Sequence, residues 1–122
     1  MTKTFQNLGN VHPYLIWPGA VARAMNGDRS TVAVIDLDAD LPVAEHRHEN
    51  EQVGIVLKGS ITMFIGDESK RLMPGDMYVI PSNLPHSAQT HEEGATVIDV
   101  FAPVRADWES KERLEPSRGR WP

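Results

Sequence analysis

The chain has 122 residues, 40% of them hydrophobic and 24% charged, which allows one globular domain with a single modest core. A formal net charge of −5 argues against a nucleic-acid partner, which would require a surplus of Lys and Arg on one face. The absence of cysteine excludes disulfides, thiolate metal sites and Cys nucleophiles, and it fits a cytoplasmic location.

In chain order, the N-terminal segment MTKTFQNLGN lacks the apolar stretch of a signal peptide. No apolar run approaches the ~18 residues of a membrane span, so no membrane partner is expected. Pro13, Pro18 and Gly19 break any long early element and leave room only for edge strands. Thr31 to Leu37, rich in β-branched residues, predicts the first strong strand. The acidic run Asp36 to Asp40 lacks the spacing of a calcium loop and reads as turn and surface. Val53 to Leu57 predicts a second strand, and Lys58-Gly59-Ser60 a turn into its hairpin partner, Ile61 to Ile65. Gly66-Asp67-Glu68 is the next turn signal, and Pro74-Gly75 has the composition of a type II turn. Asp76 to Ile80 predicts a strand stopped by Pro81. His91 and the following Glu92, Glu93 and Gly94 read as a loop. Thr96 to Phe101 is the last predicted strand, stopped by Pro103. The charge-rich stretch Arg105 to Leu114 predicts a short exposed helix ended by Pro116, and residues 115–122 a loose tail with Trp121 as its one residue able to dock on the barrel. Short strands at such spacing, separated by turns, predict an all-β sandwich or barrel.

The residues with most chemical content are His46, His48 and Gln52. A strand alternates its side chains between two faces, so these three would share one face if the segment were extended. Two imidazoles and an amide are poor core filling, because each buried polar group needs a partner. They are good ligands for a divalent metal. Glu51 has the opposite parity and would point away.

A second segment, Gly75 to His86, completes a pattern. His46-x-His48, Gln52 and Gly59, followed by Gly75, Pro81-x-Asn83 and His86, resemble the paired motifs of the cupin family in both spacing and order. The resemblance covers roughly residues 30–105. It implies a jelly-roll β-barrel, a single domain over residues 1–122, and one divalent transition metal (Zn, Ni, Fe, Mn or Cu) held by His46, His48, Gln52 and His86. Gln52 stands where many cupins carry Glu, as in the subgroup with the pattern HxHxxEQ. Neutral ligands alone would leave the full charge of the metal uncompensated, which favours an anionic or enolisable small-molecule substrate.

Asp99, Phe101 and Arg105 form a second cluster. In a strand Val97, Asp99 and Phe101 share one face, and Ile98 and Val100 share the other. If the first face lines the barrel, Asp99 is a carboxyl in an apolar pocket with a raised pKa, suited to acid–base work. Arg105 could then hold a substrate carboxylate bidentately. The plainer readings are that Asp99 caps a turn or pairs with a lysine, and that Arg105 is a surface residue. The stretch Asp99-x-Phe101-x-Pro103-x-Arg105 resembles that of small pectin-degradation cupins, which help to linearise unsaturated uronates. That resemblance implies catalytic roles for Asp99, Phe101 and Arg105 in ring opening or tautomerisation. A metal-dependent dioxygenase and a non-catalytic small-molecule-binding barrel remain as alternatives. Small cupins commonly pair through edge strands, so a homodimer is expected.

Overall fold

The computed structural model describes residues 3–122. Among the described residues the chain forms nine strands: β1 (Tyr14–Trp17), β2 (Ala20–Asn26), β3 (Thr31–Leu37), β4 (Pro42–His46), β5 (Glu51–Ile65), β6 (Glu68–Leu72), β7 (Met77–Ile80), β8 (His86–Ala102) and β9 (Glu112–Arg113). All pairings are antiparallel. The order along the sheet is β6-β5-β8-β3-β2-β1-β9, with β4 also on β8 and β7 also on β5. The expected jelly-roll is therefore the fold.

Two long strands, β5 with 15 residues and β8 with 17, link the two halves of the structure. The first half of β5 pairs with β7 and with the second half of β8, which in turn pairs with β3. The second half of β5 pairs with β6 and with the first half of β8, which pairs with β4. The bend between the halves falls where the β5–β8 register shifts, between Val56 and Lys58 and between Gly59 and Ile61. Lys58-Gly59-Ser60 is therefore not a hairpin turn. It is an irregularity inside a continuous strand, of the kind that bends paired strands together. Gly59 has φ +71°, and a Cβ there would run into the carbonyl of Gly94 on the facing strand, itself at φ +68°. His91 likewise lies within β8 rather than in a loop, and its Nε2 lies 2.9 Å from Thr62 Oγ1.

The Pro74-Gly75 turn is as expected: Asp76 N–H donates to Met73 O at 2.9 Å, and Gly75 has φ +95°. The core fills the space between the halves, with Val56, Ile61, Ile80, Val97 and Phe101 almost fully buried.

The C-terminal region departs from expectation. Arg105 to Leu114 holds no α-helix, only a 3-10 turn at Ala106–Ser110 followed by β9, which pairs with β1. Helical propensity in so short a charged stretch is weak, and two tertiary contacts outweigh it. Trp108 is buried against Tyr14 and Phe101, with ring centroids 6.0 and 5.2 Å away. The β9 strand also supplies hydrogen bonds to the otherwise open edge of β1. The following residues are fastened as well. Arg23 and Asp36 form a buried ion pair at 3.0 Å. Arg23 also donates to the backbone oxygen and hydroxyl of Ser117, and Asp36 accepts from the backbone N–H of Arg120. A buried ion pair needs its remaining donors and acceptors satisfied, and the tail satisfies them. Among the described residues no helix is long and apolar enough to cross a membrane.

Candidate metal centre

The three motif histidines arrive from three places. His46 ends β4, His48 lies in the connector to β5, and His86 opens β8. His46 and His86 are cross-strand partners, with ring centroids 4.3 Å apart, and the His48 ring lies 4.9 Å from that of His86. One potential ligand atom from each of the three lies within 4.8 Å of the others. His46, His48 and Gln52 do not share one continuous strand face, because the chain leaves β4 after His46 and turns before β5. Parity does hold within β5, where Gln52 is buried and Glu51 is exposed.

Each ring is aimed by its own neighbourhood. Nδ1 of His46 lies 2.8 Å from Ala44 O, Nδ1 of His48 2.9 Å from Asn50 O, and Nδ1 of His86 2.9 Å from Leu84 O. A carbonyl can only accept, so each Nδ1 carries the proton and each neutral ring keeps its lone pair on Nε2. His86 Nε2 is buried without a partner among the described residues. Burial lowers the His86 pKa to about 4, helped by the charges of the neighbouring histidines and Arg105, so this ring is neutral at pH 7. Burial lowers the pKa of His48 as well.

Gln52 strengthens the fit to a cation. Its amide nitrogen donates to Asp99 Oδ2 at 3.0 Å, which leaves Oε1 facing His48 Nε2 at 3.2 Å. Two lone pairs then face each other with no proton between them. A shared metal ion is the natural resolution, and imidazole and amide donors suit a divalent transition metal. The donor set therefore fits such an ion, to which His46, His48, His86 and Gln52 could contribute.

Asp99 lies on the inner face of β8, 2% exposed, and Phe101 lies beside it, 1% exposed. Its cross-strand neighbours are Ala33 on β3 and Gly54 on β5, and beyond Gly54 stands Tyr78 on β7. The Tyr78 hydroxyl reaches over Gly54 and donates to Asp99 Oδ1. A Cβ on Gly54 would occupy the space that these groups fill. Burial raises the Asp99 pKa to about 7, against the hydrogen bonds from Tyr78 and Gln52 and the charge of Arg105, which lower it. Burial also raises the Tyr78 hydroxyl well above its usual value, and the Asp99 charge adds to this.

Arg105 lines the same cavity. Its guanidinium lies 4.7 Å from the Phe101 ring centroid and 4.5 Å from that of Trp108. Nε and Nη2 bind Asp107 at 3.0 and 2.9 Å, leaving Nη1 for another partner.

The model of the cupin domain family matches residues 34–101, more than half of the chain. The chain is a cupin. The pectin degradation protein KdgF of Dickeya dadantii (strain 3937) is 38% identical over 64 residues, which cover 52% of this cupin and 58% of that protein. H2HPP isomerase of Bacillus subtilis is 28% identical over 106 residues, covering 80% of this cupin and 44% of that protein. This cupin thus spans about half the length of these relatives. The structure of KdgF from Halomonas sp. superposes with a TM-score of 0.78 at 28% identity, covering 87% of this chain and 98% of that one. An RmlC-like cupin from Shewanella frigidimarina NCIMB 400 superposes at 0.80 with 23% identity, covering 88% and 96%, and shares the fold.

Three features of this cupin were not legible as site residues in the sequence. The Asn50 side chain donates to Pro103 O and Val104 O while its backbone oxygen holds His48, so it joins the histidine cluster to the Arg105 loop. No local signal marks it, because its partners lie 53 and 54 residues away. Nothing around Tyr78 marks its hydroxyl as a site group, since an aromatic residue in a strand is ordinary core filling, although a lone glycine inside a strand, Gly54, signals close approach by another group. Trp17 and Trp108 line the cavity, and their indole nitrogens are buried without a partner among the described residues.

Proposed function

We propose that this cupin is a metal-dependent enzyme acting on a small carbohydrate-derived acid, and that it opens and tautomerises unsaturated uronates. One observation carries the reading: a single cavity is lined by histidines with free Nε2 atoms, a buried carboxyl, Asp99, and a guanidinium, Arg105. The likeness to a pectin degradation protein supports a sugar-acid substrate.

In this reading His46, His48, Gln52 and His86 hold the metal, which supplies Lewis acidity toward a substrate oxygen. Nη1 of Arg105 meets the substrate carboxylate, and the stack on Phe101 and Trp108 fixes its plane. Only one guanidinium nitrogen is open while Asp107 holds the other two, so a bidentate grip would require displacing Asp107. Asp99 carries a proton between substrate atoms. Ring opening moves a proton from the anomeric hydroxyl to the ring oxygen, and tautomerisation moves the enol proton to carbon, so the composition is unchanged. The unpartnered indole N–H groups of Trp17 and Trp108 suit the oxygens of such a ligand.

The test uses 4,5-unsaturated galacturonate. Metal-loaded protein should speed the decay of its ultraviolet absorbance, and Asp99→Ala should slow that catalysed decay by about 10²–10⁴-fold. Decay no faster than in buffer, with metal content verified, overturns the reading.

A further inference from the structure

We infer that the cavity runs on past its polar end into an apolar compartment, and that it binds small carboxylic acids carrying an alkyl or aryl tail as well as sugar acids. The inference takes Arg105 as the carboxylate anchor from the reading above and goes beyond that reading in ligand class.

The strand register divides the cavity wall into levels. His46 and His86 are cross-strand partners in one half of the barrel, and Gln52 and Asp99 stand on the facing half, on β5 and β8. With Arg105 they make the polar end of the cavity. Two residues further along each strand, a step of about 7 Å, the wall changes character. In one half, Ala22, Ile35, Val97 and Val56 are successive cross-strand partners on β2, β3, β8 and β5. In the other, Val43, Ala88 and Met63 are partners on β4, β8 and β5. The next level holds Ala20, Leu37 and Ala95 in the first half, and Thr90 and Ile61 in the second. The cavity reaches both levels: Ile35, Val97, Ala88 and Met63 line it at the first, and Leu37 and Ile61 at the second. Thr90 carries the one hydroxyl among these residues. It donates to Asp38 O at 2.6 Å and accepts from the Leu41 N–H at 2.7 Å, so the backbone takes it up.

This division selects the ligand. A sugar acid bears an oxygen on nearly every carbon, and at the polar end those oxygens find partners. One or two levels further along, an oxygen would be buried against side chains that offer no hydrogen bond, which is unfavourable. A methylene or an aryl ring gains there instead, because it leaves water for an apolar wall. Charge fixes the orientation. Arg105 keeps Nη1 open while Asp107 holds Nε and Nη2, so the carboxylate stays at the polar end and the tail points along the barrel away from the histidines. Two levels span about 14 Å of strand, which suits tails of up to about six carbons.

Ligand-observed NMR titrations of the metal-loaded full chain test the inference. The probes are propanoate, butanoate, pentanoate, hexanoate, 3-phenylpropanoate and hexan-1-ol. Each added methylene should tighten binding about three- to fourfold, and 3-phenylpropanoate should bind at least about tenfold more tightly than propanoate. Hexan-1-ol, which lacks the carboxylate, should bind at least about tenfold more weakly than hexanoate. Ala88→Leu fills the first apolar level and should flatten the dependence on chain length with metal content preserved. Wild-type affinity that does not rise with chain length, absence of binding included, overturns the inference, so the result does not hang on the folding of the variant. A rise that Ala88→Leu leaves intact puts the tails elsewhere and overturns it as well. The two readings fail separately. Turnover of 4,5-unsaturated galacturonate without a chain-length effect removes the compartment and keeps the activity, and a chain-length effect without turnover does the reverse.

Discussion

Replacing Gly54 by alanine should injure both the fold and the metal site, although it adds a single methyl group. Gly54 has no unusual backbone conformation, so the cost comes entirely from contact. The new Cβ would overlap Asp99 Oδ1 and the Tyr78 hydroxyl and lie 2.5 Å from Tyr78 Cζ. Forcing such a group into a packed interior costs about 1–3 kcal/mol. Breaking the Tyr78–Asp99 hydrogen bond strands two buried polar groups for about another 1–3 kcal/mol. At roughly 4 °C per kcal/mol for a domain of this size, Gly54→Ala should melt about 8–24 °C below wild type. Displacing Asp99 also releases the Gln52 amide, and loss of such an orienting contact lowers metal affinity about 10–100-fold. Calorimetry and chelator competition measure the two effects. Gly75→Ala is the control. It meets nothing within 4 Å but forces alanine to φ +95°, so it should cost only about 1–2 kcal/mol and leave metal affinity unchanged. If Gly54→Ala melts within about 2 °C of wild type and binds metal equally well, the Tyr78–Asp99–Gln52 chain does not position the site.

Further outcomes follow from the same geometry. His86→Ala should weaken metal binding by more than about 100-fold in elemental analysis and titration calorimetry, since it removes the buried, unpartnered nitrogen. Asn50→Ala should destabilise the protein by about 1–3 kcal/mol and raise KM for an anionic substrate about tenfold with metal content preserved, because it frees the loop carrying Arg105. In metal-free protein two buried groups give opposing pH dependence. The folded Asp99 keeps its proton up to about pH 7 and the unfolded one only to 3.8, so this group's contribution falls as pH rises through that window. His86 stays neutral down to about pH 4 when folded but binds a proton at 6.5 when unfolded, so its contribution rises with pH between those values. Asp99→Asn removes the first effect, and its stability from urea melts should therefore climb more steeply from pH 4 to 6.5 than that of wild type. Parallel profiles would refute these assignments.

The motif histidines, Gln52, the parity of Glu51 and the inward face of Asp99 and Phe101 were legible, because spacing and alternation are local properties of the chain. The long strands were not. Gly59 reads as a turn in isolation, and only the facing Gly94 makes it a bend between paired strands. The helix expected from Arg105 to Leu114 failed for a related reason. Its charges suit a helix, but Trp108 is drawn into the core by Tyr14 and Phe101, which lie far off in sequence or on another strand. Asn50 and the Ser117–Arg120 clasp over Arg23 were equally invisible, since their meaning resides in contacts across most of the chain.

The short tethers on the three rings have a consequence for how the site comes into being. Each Nδ1 is anchored to a carbonyl only two residues away, so each imidazole is aimed by its own short stretch of backbone. Little rotamer freedom remains to be lost when an ion arrives, and the entropic cost of capture is borne during folding. Such a site should load quickly and with little rearrangement, and its three aiming devices are compact enough to be transplanted as tripeptides onto another rigid barrel.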